Sequence, residues 1–215
     1  MNTKLFLLTL SVLALLAFSV VPPVSATVIA FDDIPSTTLS NGMLQLLMYP
    51  VITNGYQGLN WANFYILNAP FFAKKYETNG EYYGMVTASN VTFNGGGTTA
   101  EVDSSGTDFN FLSAYLTGAW NSNLNIEVQG FSGTNLLYDT TVVASATSPT
   151  LFTFNYLDIN RLTFNSSGGQ PAFGVDAPQF AMDNFTFEFV PEPSSFLLAA
   201  AGALLLCPLL KRKRV

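Results

Sequence analysis

The sequence predicts an all-β protein: one antiparallel β-sandwich, jelly-roll-like, set between an N-terminal signal helix and a C-terminal transmembrane helix. Three observations predict it. Between the apolar ends the chain is rich in Asn, Thr, Ser, Gly, Phe and Tyr, the composition of strands joined by polar turns. About ten short strand-forming runs recur there with turn residues between them. Both ends carry long uncharged apolar runs, 5–21 and 196–210, of the kind that membranes and export machinery read. The middle, about 165 residues, is long enough to bury one core.

Taken in order, Lys4, the apolar run 5–21, Pro22-Pro23 and Val24-Ser25-Ala26 read as a secretory signal peptide, with signal peptidase cleaving after Ala26. This gives a signal peptide over 1–26, an ectodomain over 27–189 and a terminal segment over 190–215. Residues 28–33 form a short first strand. The stretch 43–48 fits a strand or a helical turn. Gly55 and Gly58 make a loop that leads into a strand over 64–67, and 74–83 reads as a polar surface loop. Short strands over 84–88, 91–93 and 98–103 surround Gly95-Gly96-Gly97. Residues 109–120 are apolar at both parities, which predicts a central strand covered on both faces with Trp120 in the core. Leu124, Ile126 and Val128 alternate with Asn125, Glu127 and Gln129, the pattern of a half-buried strand. Runs at 136–143, 150–156 and 159–164 continue the series, and Phe185, Phe187 and Phe189 share one face of the last strand. No helix is expected in the ectodomain.

The tail is Pro191-Glu192-Pro193, an uncharged run to Leu210, and Lys211-Arg212-Lys213-Arg214. Eighteen residues at the helical rise span roughly 27 Å, close to a bilayer core of roughly 30 Å, so a span over about 194–210 is expected. The four basic residues act as a membrane stop on the cytoplasmic side and place the ectodomain outside. This three-part ending resembles the PEP-CTERM sorting signal of Gram-negative bacteria. The resemblance implies recognition by an exosortase near Pro191, Glu192 and Pro193, then delivery to the cell surface or the extracellular polymer matrix. Pro208 departs from an ideal helix but is tolerated in membrane helices.

A second resemblance covers nearly the whole ectodomain. Phe31-Asp32-Asp33, the run 55–64 (Gly-Tyr-Gln-Gly-Leu-Asn-Trp-Ala-Asn-Phe), the run 114–121 and Phe180-Ala181-Met182-Asp183-Asn184-Phe185 together resemble a secreted β-sandwich family. It occurs among bacterial sorted proteins and fungal secreted proteins. The resemblance implies a shape similar to galactose-binding-like jelly rolls and no particular activity.

Composition excludes several functions. The ectodomain has three cations (Lys74, Lys75, Arg161) against thirteen carboxylates, a surface that repels nucleic acid and anionic lipid. No histidine occurs, which removes His-based triads and His metal sites. The one cysteine, Cys207, lies in the tail, so no disulfide staples the domain.

Asp33 and Asp183 share parity with the inward residues of the first and last strands. If those strands pair antiparallel, two carboxylates meet near the core edge, and a Ca2+ ion with Asp32 and Asn184 completing its shell would relieve the repulsion. The residues equally fit turn caps made by local hydrogen bonds, a reading that the lack of a dense calcium motif favours. Tyr56, Trp61 and Tyr65, with Asn63 beside them, fit a sugar-stacking loop, though aromatics beside strands more often fill a core. No carboxylate pair stands out as catalytic, and no Ser or Thr nucleophile has a visible base. The sequence therefore reads as an exported, non-enzymatic surface or matrix protein. A carbohydrate-binding module, partnering extracellular polysaccharide, is the alternative and a glycan-acting hydrolase the second.

Overall fold

Phenylalanine at alternating positions builds the interior. In the computed structural model, which describes residues 25–191 apart from Met48, Phe109, Phe111, Phe185 and Phe187 point inward from neighbouring strands and are 0–1 % exposed. Each such ring contributes about 1.5–3 kcal/mol on burial. In chain order the strands are β1 (Thr27–Ile29), β2 (Thr37–Ser40), β3 (Met43–Leu46), β4 (Asn60–Ala62), β5 (Phe64–Asn68), β6 (Asn90–Asn94), β7 (Ala100–Asp103), β8 (Phe109–Gly118), β9 (Asn121–Ser122), β10 (Leu124–Ser132), β11 (Asn135–Ala144), β12 (Thr150–Ile159), β13 (Arg161–Ser167), β14 (Gln170–Pro171) and β15 (Phe180–Phe189).

They form an antiparallel sandwich. One sheet runs β12-β8-β15-β6-β5, and β1 shares the β6 side of β15; the other runs β11-β10-β13-β7-β4. The main core lies between them, where Phe64, Phe111, Phe180 and Phe185 meet Val102, Ile126, Val128, Leu162 and Phe164. Phe111 stacks on Phe185 at 4.8 Å and meets Phe164 edge-on at 6.0 Å, so aromatic contacts lock the two sheets together. The first and last strands pair antiparallel as expected, Ile29 opposite Phe185. The central strand expected over 109–120 is β8, flanked by β12 and β15, and the half-buried alternation at 124–128 is β10.

Two short helices appear where none was expected, the second inside the stretch 74–83 read as a loop and the first mostly before it. α1 (Ala69–Lys75) and α2 (Gly80–Tyr83) cover the outer face of the first sheet, where Leu67, Ala69, Phe72, Val91, Phe93 and Ala181 make a second, smaller core. The local signals are plain in retrospect. The Asn68 side chain accepts from Phe71 N at 3.0 Å, Pro70 sits in the first turn, and Lys74 and Lys75 close the last. The Asn79 side chain accepts from Glu81 N at 3.2 Å. Both helices are too short to show periodicity, and tertiary packing and caps stabilise them more than propensity does.

Trp120 also departs from expectation. It follows β8 rather than lying in it, and it is half-buried outside both cores. Residues 43–46 form β3, paired with β2 across Asn41-Gly42, both at positive φ as a tight hairpin requires. Among the described residues no helix is long and apolar enough to cross a membrane. The expected signal peptide and span, with Glu192, Pro193 and Lys211 to Arg214, lie outside them; Pro191 is exposed.

Candidate functional site: an aromatic cleft with one buried carboxylate

β15 leaves the sandwich at Val190, whose N–H donates to Asp108 O at 2.9 Å. At its other end, Gln179 leads into the strand beside a cleft of about 560 Å3. Strands, the turns beside them and two short helices line the cleft. Tyr65 comes from β5 and Phe93 from β6; Gly95, Gly96 and Thr98 come from the following turn; Trp120 stands just past β8 and Gln179 just before β15. Phe72 of α1, Glu81 of α2, Tyr49 and Asn63 complete the lining. Phe93 is the hinge of the aromatic set, stacked on Tyr65 at 5.7 Å and edge-on to Tyr49 at 5.6 Å.

Two glycines fix this geometry. A Cβ on Gly80 would lie 1.8 Å from the Gly118 carbonyl oxygen, so only glycine lets α2 dock against the β8 corner. That docking is clasped by Gly80 N donating to Ala119 O at 2.8 Å, and it brings Glu81 towards the Trp120 end of the cleft. A Cβ on Gly95 would come within 2.4 Å of the Tyr65 ring and 2.5 Å of Asn63 Oδ1. Asn63, in left-handed backbone, latches the turn by donating to Gly95 O at 3.1 Å and Thr98 Oγ1 at 2.9 Å. Below it Asn94 accepts from Phe180 N at 2.8 Å and donates to Ser166 Oγ at 3.0 Å.

Glu81 is the cleft's unusual residue. It is 3 % exposed, and its Oε2 accepts from Asn79 Nδ2 at 2.8 Å. No donor among the described residues reaches Oε1. Burial pushes its carboxyl up to about 7, only partly offset by the Asn79 hydrogen bond. Tyr49 is raised too, by burial first and then by the Glu81 charge. Glu81 is the sole carboxylate, and no cation is found, among the described lining residues.

The residues singled out from sequence divide between cleft and scaffold. Asn63 and Tyr65 lie in the cleft. Trp61 does not: it is 5 % exposed, packs edge-on against Phe64 and Phe185 at 5.4 Å each, and donates through Nε1 to Tyr56 O at 3.2 Å. Tyr56 packs on that cluster and donates its hydroxyl to Asp33 Oδ1 at 2.5 Å. Burial, then that hydrogen bond, raises the Tyr56 pKa.

The aspartates receive separate partners. The chain turns at Phe31 (φ +61°) straight after β1, so Asp33 is exposed beside Tyr56 instead of extending the strand towards Asp183. Asp183, fully buried, accepts from Val86 N at 2.8 Å, Thr87 N at 3.0 Å and Asn184 N at 2.7 Å, with Thr87 Oγ1 at 3.2 Å. Burial raises its pKa and these donors pull it back. Asp32 accepts from Ser89 N at 3.0 Å and Asn90 N at 2.8 Å. Two carboxylates thus hold the segment before β6 through contacts distant in sequence, where local caps had been the favoured reading. Asn184, at φ +51°, marks the bulge where β15 shifts register against β8. Among the described residues no group of three or more His, Cys, Asp or Glu could hold a metal ion. The cleft residues that sequence reasoning missed are Tyr49, Phe72, Glu81, Phe93, Trp120 and Gln179. The Asn79 cap was a local signal for the helix that carries Glu81, though not for the burial of its side chain.

Fold and site define a class: an antiparallel β-sandwich with an aromatic, singly acidic cleft at one end. No family model matches the chain, and no curated protein does. Among solved structures, one described as TmCBM61 in complex with beta-1,4-galactotriose is similar over 65 % of this chain and 94 % of its own, at 9 % identity and a TM-score of 0.33.

Proposed function

We propose that the chain is an exported, non-enzymatic surface or matrix protein whose jelly-roll-like sandwich binds carbohydrate in the aromatic cleft. The observation that carries this reading is the cleft's chemistry. Tyr49, Tyr65, Phe93 and Trp120 offer apolar faces and edges, while Asn63, Thr98, Gln179 and Glu81 offer hydrogen-bonding groups. Sugar rings, apolar on C–H faces and polar at their rims, complement that pairing. The volume of about 560 Å3 lies within the range of ligand clefts. A single carboxylate in the lining favours binding over hydrolysis, since glycoside hydrolysis ordinarily needs a pair.

Export and processing belong to the same proposal and rest on the two ends of the sequence. Signal peptidase and an exosortase are the expected partners, and the mature envelope protein should lack residues 196–215. Intact mass of that protein checks this; a chain still ending at Val215 refutes exosortase processing but leaves the binding reading standing. Binding is tested on a glycan array, with Tyr65→Ala and Trp120→Ala as controls that should each weaken retention about tenfold, in line with the loss of one buried aromatic contact. Wild-type protein that retains no glycan refutes the carbohydrate reading.

A further inference from the structure

A carboxylate is a costly group to seat in an aromatic cleft, and the surroundings of Glu81 do little to offset the cost. One oxygen is bound to Asn79 and the other has no donor among the described residues. No lysine or arginine is found in the described lining. The domain's few cations are also largely engaged. Arg161 pairs with Glu101 at 3.2 Å and stacks on Phe131 at 4.0 Å, and Lys75 lies over the Tyr76 ring at 5.3 Å. The described lining thus supplies no counter-charge for the ionised form of Glu81, and a ligand can supply one.

Three ligand chemistries meet this cleft differently. An acidic sugar brings a second negative charge to a site without a cation, and repulsion excludes it. A neutral sugar stacks on the aromatics and donates a hydroxyl to Oε1, one ordinary hydrogen bond. A protonated amine donates to Oε1 with its full charge and lies beside aromatic faces, which attract cations. Only the third satisfies the carboxylate, its charge and the aromatic walls together.

We infer that the cleft selects sugars bearing a free amine, with the ammonium group seated on Glu81 among Tyr49, Tyr65, Phe93 and Trp120. The inference rests on the carbohydrate reading above and narrows it to aminosugars. Burial raises the Glu81 carboxyl to about 7, with Tyr49 the titratable group beside it, so amine binding should weaken below neutrality as Glu81 is protonated and weaken again at higher pH as the sugar amine loses its proton.

The test compares three hexasaccharides against the full chain in a polyoxyethylene detergent, which carries neither sugar nor ammonium to compete. They are β-1,4-linked glucosamine, its fully N-acetylated form and α-1,4-linked galacturonic acid, followed by Trp fluorescence and calorimetry at pH 6 and pH 7.5. The glucosamine hexamer should bind at least tenfold more tightly than the acetylated one at pH 7.5, the galacturonate should not bind, and Glu81→Gln should erase the preference. Equal or tighter binding of the acetylated hexamer overturns the inference and leaves carbohydrate binding intact. Binding of none of the three overturns the inference, while the carbohydrate reading stands or falls on the glycan array. An amine preference that survives in Glu81→Gln overturns the assignment to Glu81. The wild-type comparison stands whether or not that variant folds.

Discussion

Glu81→Gln should make the protein more stable at pH 8 than at pH 4 relative to wild type, and the size of the effect follows from burial. In the unfolded chain the carboxyl titrates near 4.5; in the fold it is pushed up to about 7. A raised folded value favours the protonated form in the native state. Its contribution is therefore complete below about pH 4.5 and is lost as pH rises through about 7. At 1.36 kcal/mol for each tenfold change in proton affinity, the loss across that window is about 3 kcal/mol. The amide has the shape of the acid and no charge to desolvate, so the variant escapes the loss. For a domain of this size about 3 kcal/mol corresponds to roughly 6–12 °C in Tm. Thermal melts of the two proteins at pH 4 and pH 8 measure it. Titration of the other carboxylates is shared by both chains and cancels in the difference. A gap between variant and wild type that is the same at both pH values would refute the burial argument, and with it the claim that Glu81 lacks a counter-charge inside the fold.

Other outcomes follow from single contacts. Asp183→Asn should destabilise the domain by about 1–3 kcal/mol, because an amide NH2 must face the N–H groups of Val86, Thr87 or Asn184; urea melts with and without millimolar Ca2+ should show the same loss, and a calcium-dependent loss would restore the metal reading. Thr117→Val should stabilise by about 1 kcal/mol, since Thr117 Oγ1 is buried without a hydrogen-bond partner among the described residues; a destabilised variant would reveal a hidden partner. Gly95→Ala should leave the cores intact yet weaken glycan retention, because the new methyl group collides with Tyr65; unchanged retention would remove Tyr65 from the site.

The sandwich was legible in the sequence because strand alternation is a local signal. Leu124, Ile126 and Val128 declare the inward face of β10, and Phe185 and Phe187 that of β15, whatever the rest of the chain does. The helices were not legible, because α1 and α2 are too short for periodicity and depend on the Asn68 and Asn79 caps and on packing against the first sheet. The cleft was half legible. Asn63 and Tyr65 stood out in a Gly/Asn-rich loop, while Trp61 in the same loop turned inward, since alternation on β4 points it at Phe31, Phe64 and Phe185. Glu81 carried no sign of its burial, for in sequence it lies in the most polar stretch of the domain.

The aspartates show why motif and mechanism come apart. The antiparallel pairing of the first and last strands that the sequence reading supposed holds, but β1 ends at Ile29, before Phe31-Asp32-Asp33. For these acids the sequence reading offered a metal ion or, as the favoured reading, turn caps made by local hydrogen bonds. The fold supplies backbone N–H groups instead: Asp183 takes those of Val86 and Thr87, and Asp32 those of Ser89 and Asn90, so one segment satisfies two acids. Such donors are invisible in a sequence because every non-proline residue carries one, and only the path of the chain decides where they point. Glu81 is the contrast. It shares the burial of Asp183 but has one side-chain donor where Asp183 has several N–H groups, and that difference separates an acid that holds a fold together from the one we propose as a ligand's partner.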